Sequence, residues 1–190
     1  SPAGVLAPIQ RSDLAFTMHM LYHLSETGTC AIVEFPGVLY RGGAEKKIRE
    51  YLIKNNFVDT VIQLPANLFF GVGIATCIIV IKKNKKDNNI LFVDASEECE
   101  KKGDKNKLED ENQNRIVNAY QERKEEQYFT KLVSNDEVLA NGANLSVSSY
   151  VEKEDKREVI DIVALNEEIE ALSKDVRNRS VELDEMIKEL

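Results

Sequence analysis

Four short apolar runs constrain this chain more than any other feature. They are Cys30–Phe35, Val58–Leu64, Ala75–Lys83 and Asn89–Ala95. Each has strand length, is rich in β-branched residues, and is bounded by Gly, Pro or Asn, which reads as strand rather than helix. Cys30–Phe35 reads as a strand covered on both faces. Between the first two runs, Gly43 opens a helix expected from Ala44 to Asn55, with Ile48, Leu52 and Ile53 inward. An earlier helix is expected to start at a Ser12 cap, with Leu14, Phe16, Met18, Leu21 and Leu24 as its apolar positions. "PGVLYRGG" reads as a loop. The polar turn "KKNKKDNN" makes the last two strands a hairpin-like pair. Strand, helix, strand and paired strands give an α/β fold, a mixed sheet with helices on both faces.

The character changes after Ala95. Ser96–Asp110 is charged and broken by Gly103, and reads as a loop. A helix is expected over Leu108–Glu126, with Ile116, Val117 and Tyr120 on one side. A short strand follows at Tyr128–Ser134, then a one-turn helix capped by Ser134 and ended by Gly142. "ANLSVSSYV" reads as extended. From Asp161 a long helix carries Leu165, Ile169, Leu172, Val176, Leu183, Met186 and Leu190 at alternating spacings of four and three, with Arg179 at a seam position. Such a narrow seam with charged flanks is coiled-coil-like and needs a partner. The expected organisation is 1–96, the sheet; 97–160, a mixed α/β extension; and 161–190, the helix.

The chain has 190 residues, 43% of them hydrophobic, which is ample for one core. Its net charge of −8 is uneven: residues 151–190 hold 13 acids and 7 bases. No broad basic face exists, so strong unaided nucleic-acid binding is not expected. Three cysteines, Cys30, Cys77 and Cys99, form no CxxC pair and fit a reducing cytoplasm. No apolar run is long enough to span a membrane. The chain opens at "SPAGVLAPIQRSD" without a Met or a signal peptide, as a piece of a longer protein would.

Chemistry is sparse. His19 and His23 are spaced for one helix face but lack a third metal ligand. Gly37, Gly42 and Gly43 do not form a phosphate-cradling GxGxxG. Arg41 beside a helix start is a candidate phosphate contact. Asp94 ends a strand, and "KKNKK" is a basic turn. The loop "NLFFGVGIAT" is more informative. It cannot bury two adjacent aromatic rings within itself, so Phe69 and Phe70 either enter a core or face a flat ligand. Enzymes that modify extruded bases stack them on aromatic rings.

In order along the chain, "APIQRSDLAFTMHMLYHLSETGTCAIVEFPGVLYRGGAEKKIREYL", "VIQLPANLFFGVGIATCIIVIKK", "ILFVDAS", "KNKL", "ANLSVSSYV" and the final helix resemble the modification (M) subunit of type I restriction–modification systems. That family comprises N6-adenine DNA methyltransferases dependent on S-adenosylmethionine. The resemblance implies the C-terminal half of a Rossmann-like methyltransferase sheet plus a long C-terminal helix. It implies that Phe69, with Phe70 second, packs on a flipped adenine, and that the last helix docks the specificity subunit. The restriction subunit and DNA would join in the full complex. The family's glycine-rich cofactor turn and its Asn-Pro-Pro-aromatic motif are not in this sequence, so no catalytic or cofactor-binding residue is assigned here. The segment alone is expected to be inactive. "GIAT", "EFPGVLY" and "NLSVSSY" depart from the family's usual wording, the first two beside active-site loops. The readings from other classes are a non-enzymatic α/β interaction module with a helical docking arm, and a different nucleotide-dependent α/β enzyme. Self-association through the Cys30–Phe35 edge or the last helix is also expected.

Overall fold

All four apolar runs become strands, and a fifth joins them. The computed structural model describes residues 1–154 and 162–188. The chain divides into two units, Ser1–Lys153 and Glu154–Leu190. In the first unit β1 (Thr29–Glu34), β2 (Val58–Gln63), β3 (Cys77–Lys82), β4 (Asn89–Asp94) and β7 (Thr130–Ser134) form one mixed sheet in the order β1-β3-β2-β4-β7. Only β2 and β4 are parallel neighbours. The mixed α/β class is therefore observed.

The central strands alternate between two cores. Ile90 and Phe92 of β4, with Ile79 and Ile81 of β3, meet α1 (Asp13–His23), α2 (Ala44–Lys54) and α4 (Asn135–Ala140) on one face. Leu91 and Val93 point the other way, towards Ile116 of α3 (Asp110–Glu122). Burying each such side chain contributes about 1.5–3 kcal/mol. A bulge lies between Val58 and Thr60 in β2, so Val58 and Val61 share a core despite their odd spacing. Its Asp59 is buried and meets Lys82 and Arg123, each at 3.1 Å.

Helix α2 follows its pattern: Ile48, Leu52 and Ile53 are buried. Arg49 is buried with them. Its Nε donates to the Ala143 carbonyl at 2.7 Å and its NH1 to the Val38 carbonyl at 2.9 Å. That side chain ties α2 to two irregular segments that lack ladder partners of their own. Ser134 caps α4 as expected, accepting from the Glu137 N–H at 3.2 Å.

Several expectations need correction. β1 is not covered on both faces: Val33 is exposed, and β3 is its one sheet neighbour among the described strands. An edge strand can carry the same apolar composition as a central one. β3 and β4 are not a hairpin, because β2 lies between them. The polar turn crosses the start of β2, where Lys85 Nζ donates to the Val58 carbonyl at 2.7 Å. The expected loop after Ala95 contains a two-stranded hairpin, β5 (Glu100–Lys102) and β6 (Lys105–Lys107), turned at Gly103 with φ of 63°. "PGVL" and "VSS" are short 3₁₀ turns. Phe16 and Val117 lie outside the cores, and Ser12 makes no side-chain cap bond.

In the second unit α5 spans Ile162–Lys188. Leu165, Ile169, Leu172, Val176 and Met186 are all exposed on it. Arg179 pairs with Asp175 one turn earlier at 2.9 Å. Asp161, Leu190 and the Leu183 side chain fall outside the described residues. No helix among the described residues is long and apolar enough to cross a membrane.

Candidate aromatic cleft at the sheet edge

The Phe69–Phe70 loop is built by its neighbours. Asn67 takes φ of 56° and Gly71 φ of 72°, two left-handed residues that fold the segment back on itself. The Val72 N–H donates to the Phe69 carbonyl at 3.2 Å. The β5–β6 hairpin braces the loop from outside. Asn106 donates from its backbone N to the Asn67 carbonyl at 3.1 Å and from Nδ2 to the Ala66 carbonyl at 2.9 Å. Lys105 Nζ reaches the Phe69 carbonyl at 3.3 Å. Asn106 was not singled out in the sequence, because its hairpin hides in a charged stretch.

The result is a cleft of about 430 Å³ at the end of β1. Phe69 and Val72 line it from the loop, Val33 and Phe35 from β1 and its end, and Phe16 and Asp13 from α1. Phe69 is 42% exposed and Phe70 99%. The two candidate rings thus differ: Phe69 joins Phe16 and Phe35 around the cleft, and Phe70 is not among its lining residues.

Polar groups close the same cleft. Glu34 is buried and accepts from the Thr17 hydroxyl at 3.0 Å. Burial raises its carboxyl above the ordinary range, the Thr17 bond opposes this, and the nearby Asp13 charge adds to it. Behind it, burial and then the Glu34 charge push the Cys77 thiol up to about 12, which makes it inert. Thr76, just before β3, completes the lining.

The other candidates sit elsewhere. Arg41 pairs with the buried Glu45 at 3.3 Å, and its guanidinium fills the space that a side chain at Gly37 would need. That glycine turn is occupied by the chain's own arginine and offers no cradle. That turn is therefore no site for S-adenosylmethionine. Asp94 accepts from the Ser96 N–H at 3.0 Å, closing a turn. Lys82, Lys83 and Lys85 of the basic turn bond Asp59, the Leu24 carbonyl and the Val58 carbonyl. His19 and His23 stack edge to face with centroids 4.5 Å apart. No group of three or more metal-ligating side chains occurs among the described residues.

The model of the N-6 DNA Methylase family matches residues 1–159. The chain belongs to that family. It is 44% identical over 98% of its length to the type I restriction enzyme MpnII methylase subunit of Mycoplasma pneumoniae, covering 35% of that protein. It is 34% identical over 97% of its length to the type I restriction enzyme MjaVII methylase subunit of Methanocaldococcus jannaschii, covering 32% of it. Among solved structures, the methyltransferase subunit of a type I restriction-modification system from Streptococcus thermophilus superposes with a TM-score of 0.78 at 42% identity. That match covers 80% of this chain and 32% of the other. The chain thus spans about a third of the length of the curated relatives it matches. Fold and family agree with the resemblance read from the sequence blocks.

Proposed function

We propose that this chain is the C-terminal part of the modification subunit of a type I restriction–modification system. The whole subunit would be an adenine-specific DNA methyltransferase that uses S-adenosylmethionine. Its partners would be a specificity subunit, a restriction subunit and DNA, acting together in the cytoplasm. Family membership and the names of the relatives support this reading. One observation carries this segment's share of the site: Phe69 stands half-exposed over a cleft that Phe16 and Phe35 also line. Such a cleft suits a flat base taken out of its stack.

Phe69 is the stacking residue in this reading, and Phe70 lies second, on the solvent side. Arg41 would meet a DNA phosphate with guanidinium N–H groups that Glu45 does not engage. The methyl donor and the target amine would be held by parts of the subunit outside these 190 residues, so this segment alone would not transfer methyl groups. Helix α5 would dock the specificity subunit through its exposed apolar seam, with Arg179 setting register. The free side of β1 would make the isolated segment self-associate, which light scattering at high concentration would detect.

The test joins this segment to the rest of its subunit, assembled with its partners. A base stacked on one aromatic ring loses about 1–3 kcal/mol on truncation to Ala. Phe69→Ala is therefore expected to lower methyl transfer roughly 5-fold to 150-fold. Full activity in both Phe69→Ala and Phe70→Ala would defeat the stacking role. The exposed seam of α5 also fits a non-enzymatic docking module. A full-length subunit that binds its partners but neither binds S-adenosylmethionine nor methylates DNA would establish that reading instead.

A further inference from the structure

Phe70 is the most exposed aromatic ring among the described residues, at 99%, and it directly follows the ring that lines the cleft. The tip that carries it stands clear of the body. A side chain at Gly71 would meet nothing within 4 Å, and one at Gly73 would touch only Asn67 Oδ1, at 3.6 Å. Ile74 on the same loop is also exposed. The loop is nonetheless braced, because Asn106 and Lys105 hold its carbonyls at Ala66, Asn67 and Phe69. A large apolar ring is thus held out on a narrow, supported tip where it buries nothing in the free chain.

Charge beside the tip points to a polyanion. The β5–β6 hairpin, Glu100–Lys107, holds four lysines against Glu100 and Asp104, in a chain whose net charge is −8. Glu109 pairs with Lys102 and Lys107. Lys105 Nζ is held by the Phe69 carbonyl, one residue from Phe70, and a carbonyl fixes an ammonium without neutralising it. A base turned out of a duplex swings about its own backbone and leaves a gap in the stack behind it. Cleft and gap then share one sugar and its phosphates, so the residue next to the cleft wall lies beside that gap. Apolar side chains that enter such steps hold the duplex open. We propose that Phe70 is a wedge, whose ring enters the DNA stack where the target base has left while Phe69 holds that base in the cleft. Lys105 lies on the side of the flanking phosphates in this arrangement. The two neighbouring rings act on opposite sides of one nucleotide. This inference rests on the reading of the cleft as a base site.

The experiment uses the full-length subunit with its partners and two DNA duplexes carrying the target site. In one the target adenine is paired with thymine; in the other it faces an abasic position. The second opens at less cost, because no pair has to be broken. Each variant is compared with the parent on the same duplex, at saturating DNA. Phe70→Ala is expected to lower methyl transfer roughly 10-fold on the paired duplex and less than about 3-fold on the abasic one. Phe70→Leu keeps an apolar wedge and should stay within about 3-fold of the parent on both. The melting temperature of the DNA-free Phe70→Ala subunit should match the parent's within about 2 °C. Equal losses on the two duplexes overturn the proposal, since the ring would then act on the extruded base itself. Parental activity of Phe70→Ala on the paired duplex overturns it as well. So do equal losses in the Leu and Ala variants, or a lowered melting temperature, which would mean that the ring supports the fold. Phe69→Ala separates the two ideas, because its loss should persist on the abasic duplex, where the base must still be held. If it impairs transfer while Phe70→Ala does not, the base site stands and the wedge fails. If it leaves transfer intact on both duplexes, the base site itself fails and the wedge falls with it.

Discussion

The two units of this chain treat their apolar residues in opposite ways. In Ser1–Lys153 the strand residues Val61, Ile79, Ile90 and Phe92 are all but fully buried, and even the Arg49 side chain is enclosed and satisfied. In α5 the described seam positions Leu165, Ile169, Leu172 and Val176 are exposed. The first unit encloses a core of its own. The second has the pattern of a core whose other half is absent. In water a lone helix draws little stability from propensity, and most of its order comes from packing an apolar face. The difference teaches that one unit stores its stability internally, whereas the other leaves its described apolar stripe exposed.

The largest expected effect strikes the first unit at its centre. Phe92 is fully buried and stacks on Tyr150 with ring centroids 4.3 Å apart. Phe92→Ala should cost about 3–5 kcal/mol, read from denaturant unfolding. A loss under about 1 kcal/mol would mean that this core is not close-packed and that the contrast with α5 is overstated.

Arg49 tests the same unit by charge instead of volume. Burial lowers its pKa to about 10, so it remains a cation at neutral pH. Arg49→Leu would leave the carbonyls of Val38 and Ala143 without these donors. Two buried acceptors losing their donors should cost roughly 3 kcal/mol. Stability equal to the parent would show that water reaches both carbonyls, and the unit would be less closed than its burial implies.

Glu34 gives a smaller effect with a defined sign. Burial holds its folded carboxyl above the ordinary value of 4.5. Below that value both folded and unfolded chains hold the proton, and pH has no effect through this group. As pH rises, the unfolded chain loses its proton first, so stability falls until the folded carboxyl ionises as well. Glu34→Gln removes the ionisation and still accepts from Thr17. Its melting temperature should exceed the parent's at about pH 7 and match it near about pH 4. A difference of the same size at both pH values would assign the effect to packing instead of charge.

Much of the first unit was legible in the residues. Ile48, Leu52 and Ile53 mark the buried face of α2 because helical period and burial coincide there. Ser134 and Gly142 bracket α4 by cap chemistry, which is local. Strand order is not local. The six polar residues between β3 and β4 look the same whether they close a hairpin or cross the start of β2, and the strand order and the Lys85–Val58 bond show which. β5 and β6 were hidden for a related reason: Glu100–Lys107 carries no apolar period, and its register comes from Gly103 and from Asn106 bonding the Phe69 loop. In the cleft, the aromatic pair was visible in the sequence, but its inequality was not. Phe69 and Phe70 are chemically identical, and the turn at Asn67 and Gly71 sends one towards the cleft and the other to solvent.

The smallest expected effect is the one that decides the contrast. Leu172 lies mid-seam on α5 and is 58% exposed. Leu172→Asp puts a charge where a partner helix would need an apolar knob. In the free chain little is buried there to lose, so the unfolding of Ser1–Lys153 should move by no more than about 0.5 kcal/mol. Capture by the specificity subunit should weaken sharply, because a seam position tolerates a charge poorly once it is covered. Titration calorimetry against that partner and denaturation of the free chain read the two halves separately. A large loss in the free chain would show that the seam already supports the fold and is not held for a partner. A small loss in both would remove the reason for a stripe at that spacing. Only the asymmetric outcome, a stable chain with weakened capture, keeps the two units as different as their burial makes them.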